Sequence, residues 1–514
     1  MKKLLALVLA VAMILGLTSV PVIASAENTV TIKIPVYDRG FEGWNATDNF
    51  YTQWVQTEFG DPNGINVQYV AIGRSTEVQD YSQMLAAGNA PDIIFHYDMP
   101  QAVAYLNEGA IQALDLEEMK TYAPTYYAMT SGMIDEYGYM DGTPYFFFAE
   151  RPNTGYNWVT LIRQDWLDQV GAAMPTNVDE LNAVLLQWKG AGLGVLNHQL
   201  VKDNFTYSYP FWTYPVDEKE HALYLDLGIA DLTDEASEAY LKNLNYEYLN
   251  GLIDSEFYLN TDTNAALADF LDGTAGTYSF YITSGTTVIS SLLANFPNAT
   301  VSVLDPGALA SADSSHYGRK YYPFGMIMGI NASADETTRV ALWKYLEWML
   351  QDNHLYTLEN GVEGDSYTLD ADGLPVAVAD YAGDAKRSNN NNKDYWCLWE
   401  EAARYGSDDL NYKANLRNYA PAGYEDLIAN SYEYFVRDQA FAQTEALWTT
   451  SIEARSEYKA DLNTLFQELY VQCAMAADGD FDATYAEACQ EYLDAGYQEI
   501  LDEKTGMIEE GLYR

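Results

Sequence analysis

The sequence predicts open α/β lobes, and more than one of them. Near the start of the chain, segments with a strand pattern alternate with segments of helical periodicity. Residues 90–95 are apolar except for Asp92, which is typical of a strand covered on both faces of a sheet. The chain has 514 residues, more than a single hydrophobic core usually supports, so two or more lobes are expected.

The beginning of the chain has the pattern of a secretory signal peptide. Lys2 and Lys3 form a short basic start, residues 4–17 are apolar and uncharged, and residues 24–26 are small and precede Glu27. The alternative is a membrane-spanning helix, but the apolar run is shorter than the roughly 20 residues that cross a bilayer. No later apolar run reaches that length. We therefore expect an exported protein, whether extracellular, cell-surface or periplasmic.

The charge of the chain argues against several classes of partner. It holds 75 acidic and 27 basic residues, a formal net charge of −48 at pH 7. Such a surface repels phosphate backbones and anionic membrane faces, so nucleic acid is not expected as a partner. Apolar residues make up 48% of the chain, which is enough for large hydrophobic cores. We expect the protein to be a monomer.

The first elements form a βαβ pattern. Residues 30–37 alternate and are β-branched, which predicts a strand, and residues 65–72 predict a second one. A helix is predicted over residues 76–87, before the apolar strand at 90–95. Ligands of such sheets bind beyond the carboxyl ends of the strands.

Helical patterns return later in the chain. One apolar face is formed by Leu241, Leu244, Tyr248 and Leu252, and another by Val340, Trp343, Leu346 and Leu350. No proline follows Pro421, and no glycine lies between Gly423 and Gly479. A largely helical C-terminal region is therefore predicted.

Cysteine and metal-ligand patterns are weak. Cys473 and Cys489 are a possible disulfide in an exported protein, and the alternative is three buried thiols including Cys397. Acidic residues at 478, 480 and 482 resemble the start of a calcium loop, but an alanine occupies the turn position that requires glycine. We expect no cofactor and no metal.

Several motifs then occur in the order of a known family. Residues 88–95 followed by Gly109 and Leu114 match the pattern G-x-x-P-D-I … G … L. Residues 141–145, 162–167 and 175–181 follow as D-G-x-x-Y, R-x-D-W-L and P-T-x-x-x-E-L. In this the chain resembles the family 1 extracellular solute-binding proteins of carbohydrate ABC importers, especially the larger Gram-positive sugar-binding lipoproteins and, distantly, maltose-binding protein.

The resemblance implies a type II, two-lobed periplasmic-binding-protein-like fold with hinge crossings and a helical C-terminal extension. It places crossings near Glu150, Tyr281 and Asn331. The expected division is a signal peptide at 1–26, an N-terminal lobe of 27–150 plus 282–333, and a C-terminal lobe of 151–281 plus 334–514. Unlike the lipoproteins, the chain has no lipid-anchor cysteine near Ala26.

The function that the resemblance implies is capture of an oligosaccharide between the lobes and its delivery to ABC permease subunits. No H-E-x-x-H, G-x-S-x-G or glycine-rich phosphate loop occurs, so we expect no enzyme activity. A secreted glycoside hydrolase or polysaccharide lyase is the alternative, because spacing alone leaves open a catalytic pair among so many carboxylates. A surface adhesin, which would have no cleft between lobes, is a third class.

The predicted ligand-binding residues lie at strand ends, crossings and aromatic loops. Aromatic rings stack on the apolar faces of sugars, while acidic, amide and guanidinium groups pair with hydroxyls. For any one of these aromatic residues, packing in a core is the alternative role. For Asp38 and Arg39, the alternative is an ion pair within the loop. Arg39, Arg74, Arg151 and Arg163 are also candidates to hold a uronate carboxylate, although the net charge disfavours anionic ligands at long range. The predicted site residues are Asp38, Arg39, Trp44, Asn45, His96, Tyr97, Asp98, Glu150, Arg151, Trp212, Tyr281, Trp396 and Trp399.

The exported protein is expected to begin at Glu27, because Ala24 and Ala26 are small residues three and one positions before the cleavage point. N-terminal sequencing of protein recovered outside the cytoplasm checks this. Exported protein that retains Met1 would contradict the prediction.

Overall fold

The computed structural model describes most of the chain between residues 30 and 513. The described residues are 30–151, 158–194, 218–259, 263–309, 322–351, 354–388, 392–398, 405–438 and 446–513, apart from Ser75, Leu227, Asp380 and Gly406. The predicted signal peptide and the candidate ligand-binding residues Trp212 and Trp399 lie outside this set.

Strands and helices alternate through the first third of the chain, and helices dominate its end. The strands are β1 (Val30–Asp38), β2 (Ile65–Gly73), β3 (Ile93–His96), β4 (Ile111–Gln112), β5 (Tyr139–Met140), β6 (Thr143–Pro144), β7 (Phe147–Glu150), β8 (Trp158–Arg163), β9 (Thr277–Tyr281), β10 (Val301–Val303), β11 (Phe324–Asn331), β12 (Tyr367–Leu369) and β13 (Pro375–Ala377).

The α-helices are α1 (Phe50–Val55), α2 (Asp61–Asn63), α3 (Glu77–Ala87), α4 (Met99–Asn107), α5 (Leu116–Tyr122), α6 (Pro124–Tyr137), α7 (Gln164–Val170), α8 (Val178–Gly190), α9 (Glu218–Tyr224), α10 (Glu235–Asn250), α11 (Thr263–Asp272), α12 (Gly285–Asn295), α13 (Glu336–Met349), α14 (His354–Asn360), α15 (Asp408–Asn418), α16 (Glu425–Asp438), α17 (Glu453–Ala474), α18 (Phe481–Tyr492) and α19 (Gln498–Glu510). Short 3-10 or π-helical turns lie at Gln56–Gly60, Phe257–Leu259, Ile282–Ser284, Pro306–Leu309, Lys393–Tyr395 and Leu493–Tyr497.

The first lobe is built around two neighbouring groups of strands. β1 and β2 pair in parallel over their whole length, while β3, β4 and β7 each pair with β11 in antiparallel register. The backbone N–H of Asp92 donates to the carbonyl of Lys33, which ties the approach to β3 to β1. All eight residues of β11 are buried, as expected for a strand with partners on both sides and apolar cover.

Helix α13 covers the first lobe through a face that is mostly apolar but includes the buried Glu347. Trp343 and Leu346 are buried with Phe147 of β7, and the rings of Trp343 and Phe147 meet edge to face at 5.2 Å. Each large apolar side chain buried in this way contributes about 1.5–3 kcal/mol to stability. This core also includes α14 and residues 395–398.

The second lobe has a three-stranded antiparallel sheet in the order β10-β8-β9. One face packs on α7 and α8, where the rings of Trp166 and Trp188 meet edge to face at 5.4 Å. The other face packs on α11, α12 and α16. The alternation of β8, with Leu161 facing one core and Ile162 the other, therefore buries both sides of the sheet.

The helical C-terminal extension adds a further core to the second lobe. Helices α17, α18 and α19 pack with α9 and α10 around a cluster that includes Leu244, Phe466 and Tyr492. Cys473 and Cys489 lie in this region as free thiols, and Cys397 is a buried free thiol in the first lobe. Among the described residues, no helix combines the length and the apolar character needed to span a membrane.

The predicted lobe boundaries at Tyr281 and Asn331 are wrong. Tyr281 does not leave the second lobe, because it pairs with Trp158 inside the sheet and is followed by α12 and β10, which pack there. Likewise, the segment after Asn331 stays in the first lobe, because α13 buries its apolar face there. The chain changes lobes between Ala149 and Val159, between Ala308 and Phe324, and between Leu398 and Ala420. It is back in the first lobe at Leu447 and leaves it again at Trp448.

Gly276→Ala is expected to destabilise the second lobe by about 1–3 kcal/mol. An added Cβ would overlap the ring of Trp188, which is fully buried and has no room to move. Gly506→Ala is the matched control, since a Cβ at this position of α19 meets nothing within 4 Å. The control should be stabilised by about 0.4–1 kcal/mol. Urea unfolding of both variants tests the prediction, and equal midpoints would contradict it.

Candidate functional site

Three strands of the first lobe end at one edge. Asp38 and Gly73 are the last paired residues of β1 and β2, and the N–H of Arg74 donates to the carbonyl of Asp38 at 3.0 Å. Beyond β3, the ring of Tyr97 stacks on that of Tyr37 with a centroid distance of 6.4 Å. The predicted strand-end residues Asp38 and Tyr97 therefore lie at the same edge of the lobe.

A cation lies over the two tyrosines. The Arg74 guanidinium is 5.1 Å from the centroid of Tyr37 and 5.5 Å from that of Tyr97. It also pairs with Glu77 at 3.3 Å, and the Tyr37 hydroxyl donates to the same carboxylate at 2.9 Å. Because Tyr37 and Glu77 are buried, this network fixes the orientation of the partly exposed Tyr97.

His96 and Asp98 complete the edge. The N–H of Asp98 donates to Nδ1 of His96 at 2.9 Å, so the imidazole accepts at that nitrogen. Burial lowers the pKa of His96, and Glu77 and Asp98 offset this only in part, which favours the neutral ring. The Asp98 side chain remains 32% exposed and faces the second lobe.

The second lobe presents a guanidinium to Asp98. Arg455, near the start of α17, lies 3.6 Å from the Asp98 carboxylate. It is oriented by Asp226, with Nε to Oδ2 at 2.7 Å and Nη2 to Oδ1 at 3.0 Å. Burial raises the pKa of Asp226, but Arg455 and Lys504 more than offset this and hold the pKa well below its usual range. Asp226 is therefore a permanent counter-ion.

A small pocket lies where these groups meet. The pocket volume is about 30 Å³, which holds a water or two and is far smaller than the roughly 300 Å³ or more of ordinary ligand sites. An organic ligand can enter this space only if the two lobes move apart. The lining residues are Tyr97, Asp98, Met99, Pro100, Leu225, Asp226, Tyr322, Phe324, Ile327, Ala446, Leu447, Trp448 and Arg455.

Two other predicted residues, Arg39 and Trp396, have structural partners instead. Nε and Nη2 of Arg39 each donate to Asp394 at 2.9 Å. The Nε1–H of Trp396, which is 3% exposed, donates to Glu359 at 2.9 Å. These contacts fasten the segment around residue 395 to the first lobe, so the intra-loop pair considered for Asp38 and Arg39 does not form.

The remaining described candidates are not among the residues that line the pocket. Trp44 packs against Tyr395 at 6.3 Å, and the Asn45 side chain accepts from Thr47. Glu150 pairs with Phe324 across the sheet, and the N–H of Arg151 donates to the carbonyl of Pro323 at 2.7 Å. Tyr281 ends β9 and is 52% exposed.

Sequence reasoning missed Asp226, Trp448 and Arg455. These residues come together only because the C-terminal extension folds back over the first half of the second lobe, with Asp226 and Arg455 separated by 229 positions. The available signal was the basic residue in the first turn of a predicted helix, where a cation opposes the helix dipole.

The structure offers little for metal binding. In the part of the chain that is described, histidine, cysteine and carboxylate side chains form no group of three able to hold a metal. Asp482, one of the acidic residues that resemble a calcium loop, instead pairs with Lys242 at 2.9 Å. Asp480 occupies the position that precedes α18.

The sequence was compared with models of protein families and with curated proteins. The sequence model of a family described as bacterial extracellular solute-binding protein matches residues 54–358. No curated protein sequence matches the chain.

Solved structures share the fold. The alginate-binding protein AlgQ2 without calcium ion is 18% identical with a TM-score of 0.63, covering 92% of this chain and 97% of that chain. An HMO-binding, ABC-transporter-associated solute-binding protein from Bifidobacterium longum infantis is 14% identical with a TM-score of 0.62, covering 92% and 97%. The S. pneumoniae ABC-transporter substrate-binding protein FusA, in complex with kestose, is 16% identical with a TM-score of 0.59, covering 93% and 99%.

The stability of the wild-type protein is expected to fall relative to Glu359→Gln as the pH rises from 5 to 8. Burial raises the pKa of Glu359 from 4.5 to about 7, although Arg387 and the Trp396 N–H oppose the shift. The resulting stabilisation is complete below 4.5 and is lost as the pH rises through 7, at most about 3 kcal/mol. Glutamine keeps an acceptor for Trp396 without the charge.

Thermal unfolding at pH 5 and pH 8 measures this difference. Glu363→Gln, an exposed position nearby, is the control and should follow the wild type. Parallel pH profiles for Glu359→Gln and the wild type would show that Glu359 is not protonated in the folded state.

Proposed function

Because the chain belongs to the family of bacterial extracellular solute-binding proteins, we propose that it captures an oligosaccharide between its two lobes and delivers it to the permease subunits of an ABC importer. Its structural neighbours include proteins described with kestose and with cycloalternan and one described as alginate-binding. Export through a cleaved signal peptide, and action as a monomer without a lipid anchor, are parts of the same proposal.

The observation that carries the proposal is the composition of the interlobe pocket. Tyr97 and Tyr322 come from the first lobe and Trp448 from the second, so flat aromatic groups line both sides. Asp98 and Arg455 add a hydroxyl acceptor and a hydroxyl donor held at fixed positions. Sugar rings have apolar faces edged by hydroxyl groups, and this combination matches both features.

The ion pair across the pocket suggests how binding and closure are linked. Asp98 belongs to one lobe and Arg455 to the other, and their 3.6 Å contact exists only while the lobes are close. A sugar that hydrogen-bonds to both groups would favour the same arrangement. A ligand shifts an open–closed equilibrium only through such unequal contacts with the two states.

The same pocket gives little support to the glycoside hydrolase alternative. That chemistry needs a carboxylic acid whose pKa is raised, so that it can protonate the leaving oxygen. The pKa of Asp226 is instead lowered, because its two cationic neighbours outweigh its burial. Asp98, the other carboxylate of the pocket lining, faces a guanidinium. We therefore propose a binding protein that releases its ligand unchanged.

The cognate oligosaccharide is expected to compact the protein and to be recovered intact. Small-angle scattering should show a smaller radius of gyration with ligand, because the closed arrangement gains contacts from both lobes. Chromatography after overnight incubation should return the added sugar. Cleaved sugar would support the hydrolase alternative, and unchanged dimensions on binding would contradict closure.

Asp98→Ala supplies the matched variant for this experiment. It removes one acceptor and the partner of Arg455, so affinity should fall by about 1.5–3 kcal/mol, as measured by isothermal titration. Asp135→Ala changes an exposed carboxylate on α6 of the same lobe and should bind like the wild type. Equal affinities for both variants would place the ligand elsewhere.

A further inference from the structure

Helix α17 begins with an unfavourable arrangement of charges. Arg455 and Lys459 are four positions apart on its first turns, where like charges repel across one turn. They also lie at the positive end of the helix dipole, where anions are preferred. In a chain with 75 acidic and 27 basic residues, two cations at this position call for a physical reason.

The carboxylates that pair with Arg455 account for its position at the start of the helix, whereas Lys459 has no such partner in the described part of the chain. Arg455 is held by Asp226 and approaches Asp98. Lys459 is partly buried, and within the described residues it has no ion pair or hydrogen bond. The two cationic groups lie side by side, since a Cβ added at Gly228 would meet both.

The surroundings of Lys459 disfavour its own charge. Burial and the adjacent Arg455 lower the pKa of Lys459, and the carboxylates of Asp98 and Asp226 offset this only in part. His96, on the facing edge of the first lobe, also experiences the Lys459 charge. An anion placed beside Arg455 and Lys459 would relieve this unfavourable arrangement.

Lys504, in the same region, is a lysine with a structural role and serves as a comparison for Lys459. It is 1% exposed, donates to the carbonyl of Leu223 at 3.1 Å and lies 3.6 Å from Asp226. Its hydrogen-bonding capacity is directed into the second lobe. Lys459, in contrast, remains accessible at the boundary between the lobes.

We propose that Lys459 and Arg455 form a carboxylate-binding subsite, so that the ligand is an oligosaccharide containing uronic acid. This inference rests on the proposed function and names the ligand class for the same cleft. A ligand carboxylate would pair with the Lys459 ammonium, beside the buried Arg455 guanidinium. The remaining sugar rings would contact the aromatic groups of the pocket.

Three of the arginines considered earlier for this role are already engaged. Arg39 pairs with Asp394, Arg163 with Asp165 at 2.6 Å, and Arg74 with Glu77. Arg163 is also 3% exposed, in the core beside Trp166. Lys459 has no such partner among the described residues and is partly exposed, so it is the better place for an anionic group.

The experiment compares charged ligands with uncharged ligands of the same backbone. Trisaccharides of galacturonate, glucuronate and mannuronate, each also as its full methyl ester, are titrated calorimetrically against the full-length mature protein, alongside neutral trisaccharides. At least one uronate should bind, and its methyl ester should bind about tenfold more weakly, as expected for loss of one charge-assisted interaction.

Variants assign the preference to the subsite. Lys459→Met should lose the distinction between acid and ester, and Lys459→Arg should retain it. Lys242→Met, at a 58% exposed lysine of the same lobe, is the control and should behave as the wild type. The rescue by arginine separates a charge effect from a folding defect.

The outcomes distinguish the two proposals. Neutral trisaccharides that bind while uronates do not, or a preference for uronate that survives in Lys459→Met, would overturn the carboxylate subsite and leave the sugar-binding function intact. If no saccharide binds, both proposals fail.

Discussion

The ion pair between Arg455 and Asp226 sets the geometry on which the rest of the site depends. It joins the start of the C-terminal extension to a segment 229 positions earlier, in a region where both groups are largely removed from water. Burying two charges costs several kcal/mol unless their hydrogen bonds are well directed, and the paired 2.7 and 3.0 Å contacts meet that condition. With Arg455 fixed in this way, Asp98 in the other lobe has a partner at a defined position.

The beginning of the fold could be predicted from local pattern alone. The strand predicted at residues 30–37 is β1 (Val30–Asp38), and the helix predicted at 76–87 is α3 (Glu77–Ala87). Alternation and helical periodicity depend only on residues close together in the chain, so they can be recognised in the sequence. The lobe crossings were misplaced because apolar strands such as β10 and β11 fit either sheet equally well by pattern. Pairing partners far along the chain decide between them.

The tryptophans show how far the binding site could be predicted from the sequence. A tryptophan in a polar segment suggests a stacking platform, yet Trp396 is buried and directs its N–H to Glu359, because the segment around it lies against the first-lobe core. The strand ends were better guides, since Tyr97 and Asp98 line the pocket by virtue of sheet geometry. Trp448 carried no local signal that distinguishes it from other residues beside helices, and the signal of Arg455 was only a charge that opposes the helix dipole.

One short segment constrains how far the lobes can travel. Leu447 is buried in the core of the first lobe, whereas the adjacent Trp448 is buried in the core of the second. Nearby, the Asn107 amide donates to the Ser451 hydroxyl at 3.0 Å. Successive residues span at most about 3.6 Å along an extended chain, so this link acts as a tether of fixed length. Wide separation of the lobes would require Leu447 to leave its apolar site, whereas a twist about the tether would not.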